Sequence, residues 1–216
     1  MKFGVENDAG QFVLPIASLK KLAGKKRYKM IDIGAGKRYI KKFLPKNIEY
    51  NSLDFQGEHD ILFNLDSGKL PIKSESYDII LCLETLEHTL HPMRIMKEIV
   101  RIAKPRAIFL LSMPNDYNFY CRFNFLLAKK TLVQEPFQTV EKNLHIHTPR
   151  SRDILEFFSQ YVKVVGVDYP WYSRTSAHNK NLTGQIFKVI DSFIRPLSKI
   201  NPSLFSRCVV IKGVKK

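Results

Sequence analysis

Residues 32–36 read Asp32-Ile33-Gly34-Ala35-Gly36, an acid and two glycines closing a short apolar run. Glycine lets the backbone turn sharply and come close to a ligand. Asp32 sits inside the apolar run, where an unpaired carboxylate is costly to bury. Its expected partners are the N–H groups of the turn or a ligand ammonium. A full Gly-x-Gly-x-x-Gly would signal a dinucleotide pyrophosphate, but position 39 is Tyr, so that fingerprint is incomplete. Two further acids close later apolar runs: Asp54, placed to accept both hydroxyls of a ribose, and Asp66, placed to meet an adenine amino group. Each alone is an ordinary turn residue. All three in order, each at a strand end, point to one ligand site.

A second group is Glu84, Glu87 and His88. On a helix these would share one face. Three readings stay open. The acids open a helix at the positive end of its dipole, with His88 packed nearby. Alternatively His88 is a general base, which suits an ordinary histidine pKa of about 6.5. In the third reading the carboxylates and the imidazole hold Mg²⁺ or Mn²⁺. His88 and Glu84 are the catalytic candidates, and no metal is assigned. His145 and His147 alternate with Leu144 and Ile146, so both can point one way from an extended segment. Asn115 and Tyr117, with Asp116 and Tyr120, form a polar and aromatic group after an apolar run. Asn115, Tyr117, His145 and His147 are the substrate-binding candidates, set against loop histidines and packing aromatics.

The surrounding pattern supplies the elements that must position these residues. Helical spacing over 11–23 precedes a strand at Tyr28–Ile33, then the glycine turn and a helix around Tyr39–Leu44. Further strands are expected at Glu49–Leu53, Ile61–Leu65, Tyr77–Leu83 and Ala107–Met113, with a helix at Arg94–Ala103. Thr148 reads as an N-cap with Pro149 at the first helical position, ahead of Ile154, Leu155, Phe157 and Phe158 on a buried side. Tyr161–Val167 is a sixth strand, Gln185–Leu197 a basic amphipathic helix, and Arg207–Lys212 a last strand at the sheet edge. Strands alternating with helices predict an α/β fold: a Rossmann-like seven-stranded, mostly parallel sheet with helices on both faces. Residues 1–216 form one domain, with an inserted cap or lid at about 115–147. Such a sheet binds its ligand at the carboxyl ends of its central strands, where the glycine turn lies.

With 216 residues and 44% hydrophobic content, the chain can bury one sizeable core. No apolar run reaches the length of a membrane span, and the N-terminus lacks a signal-peptide core, so a cytoplasmic location is expected. The cysteines Cys82, Cys121 and Cys208 are widely spaced and read as free thiols. The net charge is +15, unevenly placed. Residues 20–46 hold eleven basic side chains against Asp32, and residues 171–216 hold nine against Asp191. Residues 47–100 hold ten acids against four bases. Such a field suits nucleic acid, phospholipid surfaces or phosphorylated substrates, and it also serves plain solubility. The basic helix at Gln185–Leu197 can rest on an anionic membrane. Covering one face of the sheet is the preferred reading, because the last strand must return to the sheet.

Over roughly residues 28–170 the chain resembles the class I S-adenosylmethionine-dependent methyltransferases of the broad type 11 group. Ile31–Gly36 resembles the motif that holds the methionine end of the cofactor. Asp54 matches the ribose-binding acid, with Phe55 beside it against the adenine, and Asn64-Leu65-Asp66 matches the adenine-contacting stretch. Ser76–Ile80 resembles the fourth strand, Leu83–His88 the segment after it, and Ser112-Met113-Pro114-Asn115 the exit where substrate lies. The cofactor-binding set this implies is Asp32, Gly34, Ala35, Gly36, Asp54, Phe55, Leu65, Asp66 and Leu83. One departure is Arg38, which stands where the family commonly has a third glycine; it would crowd the carboxylate end of the cofactor or pair with it. Glu84-x-x-Glu87-His88 also resembles the metal-binding segment of ubiquinone-pathway O-methyltransferases and of small-RNA 3′-end methyltransferases. Met113-Pro114-Asn115 and His145-x-His147-Thr148 are similar to stretches of the methionine-biosynthesis W-type proteins. The resemblance implies methyl transfer from S-adenosylmethionine to an O or N acceptor on a small or lipid-linked molecule. The alternatives are an RNA methyltransferase and a non-catalytic regulatory partner.

Overall fold

In a computed structural model of the chain, which describes residues 12–129, 137–171 and 182–216, the apolar runs line up as a single sheet. Its strands are β1 (Tyr28–Ile33), β2 (Ile48–Asp54), β3 (Ile61–Leu62), β4 (Tyr77–Leu83), β5 (Ala103–Pro114), β6 (Val162–Asp168) and β7 (Cys208–Lys215). They lie in the order β3-β2-β1-β4-β5-β7-β6. The pairs among β1 to β5 are parallel, and β7 runs antiparallel to both β5 and β6. The order reverses between β1 and β4, and their carboxyl ends are where such a sheet opens a ligand crevice.

Alternate residues of each strand enter two different cores, which is why the strands read as unbroken apolar runs. Ile31, Ile33, Ile80, Cys82 and Phe109 meet Ile95 and Ile99 of α2 (Pro92–Ile102) and Ile154 and Phe158 of α4 (Ser151–Tyr161). Met30, Ile79, Leu81 and Leu110 meet Leu19 of α1 (Val13–Lys20) and Ile40 of a 3₁₀ turn at Tyr39–Phe43. Fully burying one such aliphatic side chain is worth about 1.5–3 kcal/mol. The two layers together hold the central strands, and hence their carboxyl ends, in register.

Several expectations need correction. The last strand is not at the edge: β7 lies between β5 and β6, and β6 is the edge strand. Val209, Val210 and Ile211 are all buried, so consecutive residues are covered on both faces, as an interior strand requires. The third strand stops at Leu62 because the Asn64 side chain accepts from the Asp66 N–H and starts a 3₁₀ turn. The helix expected at Tyr39–Leu44 is likewise 3₁₀. α4 begins after Arg150, not at Thr148, because Asp153 accepts from both the Arg150 backbone N–H and its guanidinium. The basic helix is α5 (Leu182–Ile200), followed by the short α6 (Pro202–Phe205), and it does not cover the sheet: none of its described residues enters either core. The start of the helix expected at 11–23 and residues 130–136 of the expected cap lie outside the described residues.

Candidate active site

The glycine turn is built by its neighbours. Gly34 has φ +71°, and a Cβ added there would meet Thr85 Oγ1 at 2.3 Å. No side chain fits, so the chain must expose bare backbone at this point. The Gly34 and Ala35 N–H groups donate to Leu53 O at 2.9 and 3.2 Å, fastening the turn to the end of β2. Gly36 N–H donates to Asp54 Oδ2 at 2.9 Å, while Asp54 Oδ1 accepts from Phe55 N–H at 2.7 Å. Arg38 occupies a left-handed conformation at φ 53°, and its N–H donates to Ala35 O at 2.7 Å. The backbone there has the sign that favours glycine, which Arg38 adopts at a conformational cost.

Asp32 is held by a side-chain hydroxyl and not by the N–H groups of the turn. It accepts from the Tyr50 hydroxyl at 2.8 Å, and burial pushes its carboxyl up to about 7. Tyr50 is a residue that sequence reasoning missed. The signal was available: β1 and β2 end together at Gly34 and Asp54, so the parallel register pairs Asp32 with Ser52 and puts Tyr50 on the same face.

A cleft of about 380 Å³ opens over these strand ends. Gly34, Asp54, Phe55, Leu65 and Asp66 line it, together with Glu84, Thr85 and His88 after β4 and Val140, Asn143 and Ile146 from the inserted segment. Its volume lies in the range of small-molecule sites. Asp32, Ala35, Gly36 and Leu83 are not among the residues that line the cleft. Both Asp66 oxygens accept from Leu90 N–H at 3.0 Å, and one also accepts from His91 N–H at 3.2 Å. Asp66 thus fastens the loop before α2 while lining the cleft.

Glu84, Glu87 and His88 are not on one helical face. Glu84 has φ 49°, and a 3₁₀ turn at Leu86–His88 follows. Glu84 turns toward β5 and accepts from the Ser112 hydroxyl at 3.0 Å; burial pushes its carboxyl up to about 7. Glu87 is fully buried, neither of its carboxylate oxygens has a hydrogen-bond partner, and burial with the Glu84 carboxylate nearby pushes it well above the usual range. His88 Nδ1 lies 3.2 Å from Leu144 O, a pure acceptor, so Nδ1 carries the hydrogen and Nε2 keeps its lone pair. That Nε2 lies 3.7 Å from Glu87 Oε1. Burial and the neighbouring His145 hold the His88 imidazole below its ordinary pKa, in the neutral form a base needs.

The four substrate-binding candidates separate. His145 joins the cluster: its ring is 5.0 Å from that of His88, and its Nδ1 is 2.7 Å from Asp116 Oδ2. His147 turns away, with Nε2 2.9 Å from Thr89 O. Tyr117 is exposed and off the cleft wall. Asn115 is buried, and its amide donates to the carbonyls of Pro202, Ser203 and Ser206, so it splices β5 to α6 and has nothing left for a substrate. Glu87, His88 and His145 each offer one ligand atom, all within 4.8 Å of one another. This differs from the trio read off the sequence: His145 replaces Glu84. The Leu144 carbonyl and the Asp116 carboxylate orient the two imidazoles as outer partners of a metal ligand do.

No curated protein matches the chain. Residues 18–111 match the family model described as a methyltransferase domain, of type 11. The fold is similar to an S-adenosylmethionine-dependent methyltransferase from Methanosarcina mazei, with a TM-score of 0.59 at 15% identity, covering 91% of this chain and 96% of that one. It is also similar to the YcgJ protein of Bacillus subtilis, with a TM-score of 0.58 at 16% identity, covering 97% of this chain and 99% of that one. The cyclase SpnF shares it too, with a TM-score of 0.57 at 13% identity over 97% of this chain and 85% of that one. The turn, the strand-end acids and the cleft fit the cofactor of that family: Gly34 leaves the cradle a Cβ would fill, and Asp54 faces it. Over residues 18–111 the chain is thus similar to a methyltransferase domain, and its fold is one that S-adenosylmethionine-dependent methyltransferases share.

Proposed function

We propose that the protein transfers a methyl group from S-adenosylmethionine to an oxygen or nitrogen acceptor on a small or lipid-linked molecule. The observation that carries this reading is the buried acid and imidazole cluster of Glu84, Glu87, His88 and His145, set beside the cleft that Gly34 and Asp54 open. The cofactor, when bound, supplies an electrophilic methyl group on a sulfonium. The Gly34 turn and Asp54 hold its methionine and ribose parts, with Phe55 and Leu65 along the adenine. A hydroxyl acceptor is a poor nucleophile and must give up a proton, which neutral His88 takes at Nε2. His145, oriented by Asp116, is a second imidazole within reach. Positioning in the closed cleft supplies the rest of the rate enhancement.

Calorimetric titration with S-adenosylmethionine tests the cofactor site. Losing charged hydrogen bonds of about 1.5–3 kcal/mol in Asp54→Ala should weaken binding roughly 10- to 100-fold. Unchanged affinity in that variant would sink the ribose assignment.

One observation favours a metal-assisted form of the same reaction. Glu87 is a buried carboxylate with both oxygens unpartnered, beside two oriented imidazoles. One carboxylate and two histidines suit Mn²⁺, Fe²⁺ or Zn²⁺ better than Mg²⁺. The basic charge keeps RNA in view as an acceptor, and RNA binding with no steep salt dependence would remove that support. A regulatory, non-catalytic role would be shown by tight cofactor binding with no turnover on any acceptor.

A further inference from the structure

The helix between β6 and β7 is turned the unusual way round. α5 buries polar residues: Asp191 is 2% exposed and accepts from Trp171 Nε1 at 2.9 Å, and Ser198 is buried a further two turns along. Most of its described apolar residues face out. Leu182, Ile186, Val189, Ile190, Phe193, Leu197 and Ile200 are all exposed, Phe193 at 72% and Ile200 at 80%. At about 100° per residue these positions fall within one stripe, opposite Asp191 and Ser198. Arg195 and Lys199 are exposed on the same helix, Arg195 on the Asp191 side and Lys199 between that side and the stripe.

A second apolar surface lies on α3. α3 (Phe119–Leu126) buries none of its residues and exposes Phe123, Phe125 and Leu126, the last at 80%. Phe119 stacks on Trp171 at 5.0 Å and meets Phe205 of α6 at 5.7 Å, while Arg122 donates to Ser203 Oγ at 3.3 Å. Trp171 therefore joins α3 to α5 through one contact on each side. The two helices also share a location: α3 follows the carboxyl end of β5, and α5 and α6 lead into β7, whose first residue Cys208 pairs with Pro114. Both lie at the end of the sheet where the cleft opens.

We propose that the outer stripe of α5, with α3 beside it, seats the protein on an anionic phospholipid bilayer. Exposed contiguous apolar surface of this kind marks an interaction site. No helix among the described residues is long and apolar enough to cross a membrane, so the seat is interfacial. Charge selects the bilayer over a second copy of the chain. The protein carries +15, and the C-terminal nine basic residues are opposed by Asp191 alone, which is buried against Trp171. Two such surfaces repel each other, whereas an anionic leaflet attracts both. A helix with a stripe of Leu, Ile and Phe and exposed cations elsewhere on its surface, in a strongly basic protein, suits a membrane interface. The cleft mouth would then face the leaflet side of the molecule, which narrows the proposed methyl acceptor to one carried on a lipid. That last step rests on the methyl-transfer reading; the docking itself does not.

Flotation with vesicles of phosphatidylglycerol mixed into phosphatidylcholine, and of phosphatidylcholine alone, tests the docking without any cofactor. The wild type should bind the anionic vesicles roughly tenfold or more tightly, with the preference falling as salt rises. Phe193→Ser with Ile200→Ser should abolish binding, and Arg195→Glu with Lys199→Glu should remove the anionic preference. Trp171 is the single tryptophan, so an unchanged emission spectrum reports that α5 keeps its seat in each variant. Equal binding to both vesicle types, equal binding by the Phe193/Ile200 variant, or a wild-type dimer that this variant turns into a monomer would each overturn the proposal. Because cofactor titration needs no vesicles, failure of docking and failure of methyl transfer are read separately.

Discussion

Asp32 offers a test in which the protein's stability reports the chemistry of its cofactor turn. Its carboxyl moves from the ordinary 3.8 to about 7 on folding, chiefly through burial, against a small opposing effect from the Tyr50 hydroxyl. A carboxyl that binds its proton more tightly when folded favours the fold below pH 4, and that benefit is lost as pH rises through 7. Each tenfold gain in proton affinity is worth about 1.36 kcal/mol, so the loss amounts to about 4 kcal/mol by pH 8. Asp32→Asn keeps the shape and an oxygen for the Tyr50 hydroxyl but cannot ionise. Its new amide brings a fixed cost at every pH, so the informative quantity is the change in the difference between variant and wild type. Urea unfolding at pH 4.5 and pH 8 should show that difference moving in favour of Asn by about 3–4 kcal/mol. A difference that stays flat, or moves in favour of Asp, would mean that the folded protein stabilises the ionised carboxylate. The account of the turn as a dry cradle buttressed by Tyr50 would then be wrong.

Other parts of the site yield shorter tests. Gly34→Ala must push against Thr85 and hold φ +71°, so it should lose about 1–3 kcal/mol of stability along with cofactor affinity. Adding Thr85→Ala should recover part of the stability, and a Gly34→Ala protein as stable as wild type would contradict the steric account. Asn115→Ala takes the amide donor from the Ser203 and Ser206 carbonyls and should cost about 2 kcal/mol in urea unfolding without raising KM for any acceptor; raised KM at unchanged stability would return Asn115 to the substrate pocket. Scanning calorimetry with added MnCl₂ should raise the wild-type Tm and leave that of Glu87→Gln unmoved. A wild-type Tm that ignores Mn²⁺, Fe²⁺ and Zn²⁺ alike would remove the metal-assisted form of the reaction.

The fold was largely legible because it depends on signals local to each strand. Unbroken apolar runs gave the parallel strands, and an acid or glycine at the end of each marked the carboxyl edge. What failed depended on contacts between distant segments. β7 reads as an edge strand from its place at the end of the chain, yet Val209 to Ile211 are covered on both faces because β6 pairs outside it. Asn115 carries the residue type and position of a substrate contact, but its partners lie some ninety positions away in α6 and are invisible to a local reading. Spacing put Glu84, Glu87 and His88 on one helix face; the left-handed Glu84 broke that face, and His145 arrived from the inserted segment to complete the cluster. α5 shows the same limit in reverse. Its amphipathic pattern was plain, but which side faced inward was decided by Trp171, which takes Asp191 as its partner and leaves the aliphatic side outside.

The site and the apolar surface share one cause in the sheet. β1 ends in a turn that exposes backbone, and β2 ends in an acid fixed by backbone N–H groups, an arrangement that can bind a polar ligand with little rearrangement. β5 continues past that edge as far as Pro114, where Asn115 ties it to α6, and through α6 to the helix that carries the apolar stripe. Glu84 is fastened to that same strand through Ser112, two residues before its end. The end of β5 that holds Glu84 is thus joined to α6 by the Asn115 side chain as well as through its pairing with β7. Asn115→Ala removes the side-chain tie while leaving Gly34, Asp54 and the stripe itself intact. If docking serves catalysis on a lipid-borne acceptor, this variant should keep both vesicle binding and cofactor affinity, yet lose the rate enhancement that vesicles give the wild type. If vesicles accelerate both proteins equally, surface docking does no more than concentrate the enzyme near its substrate.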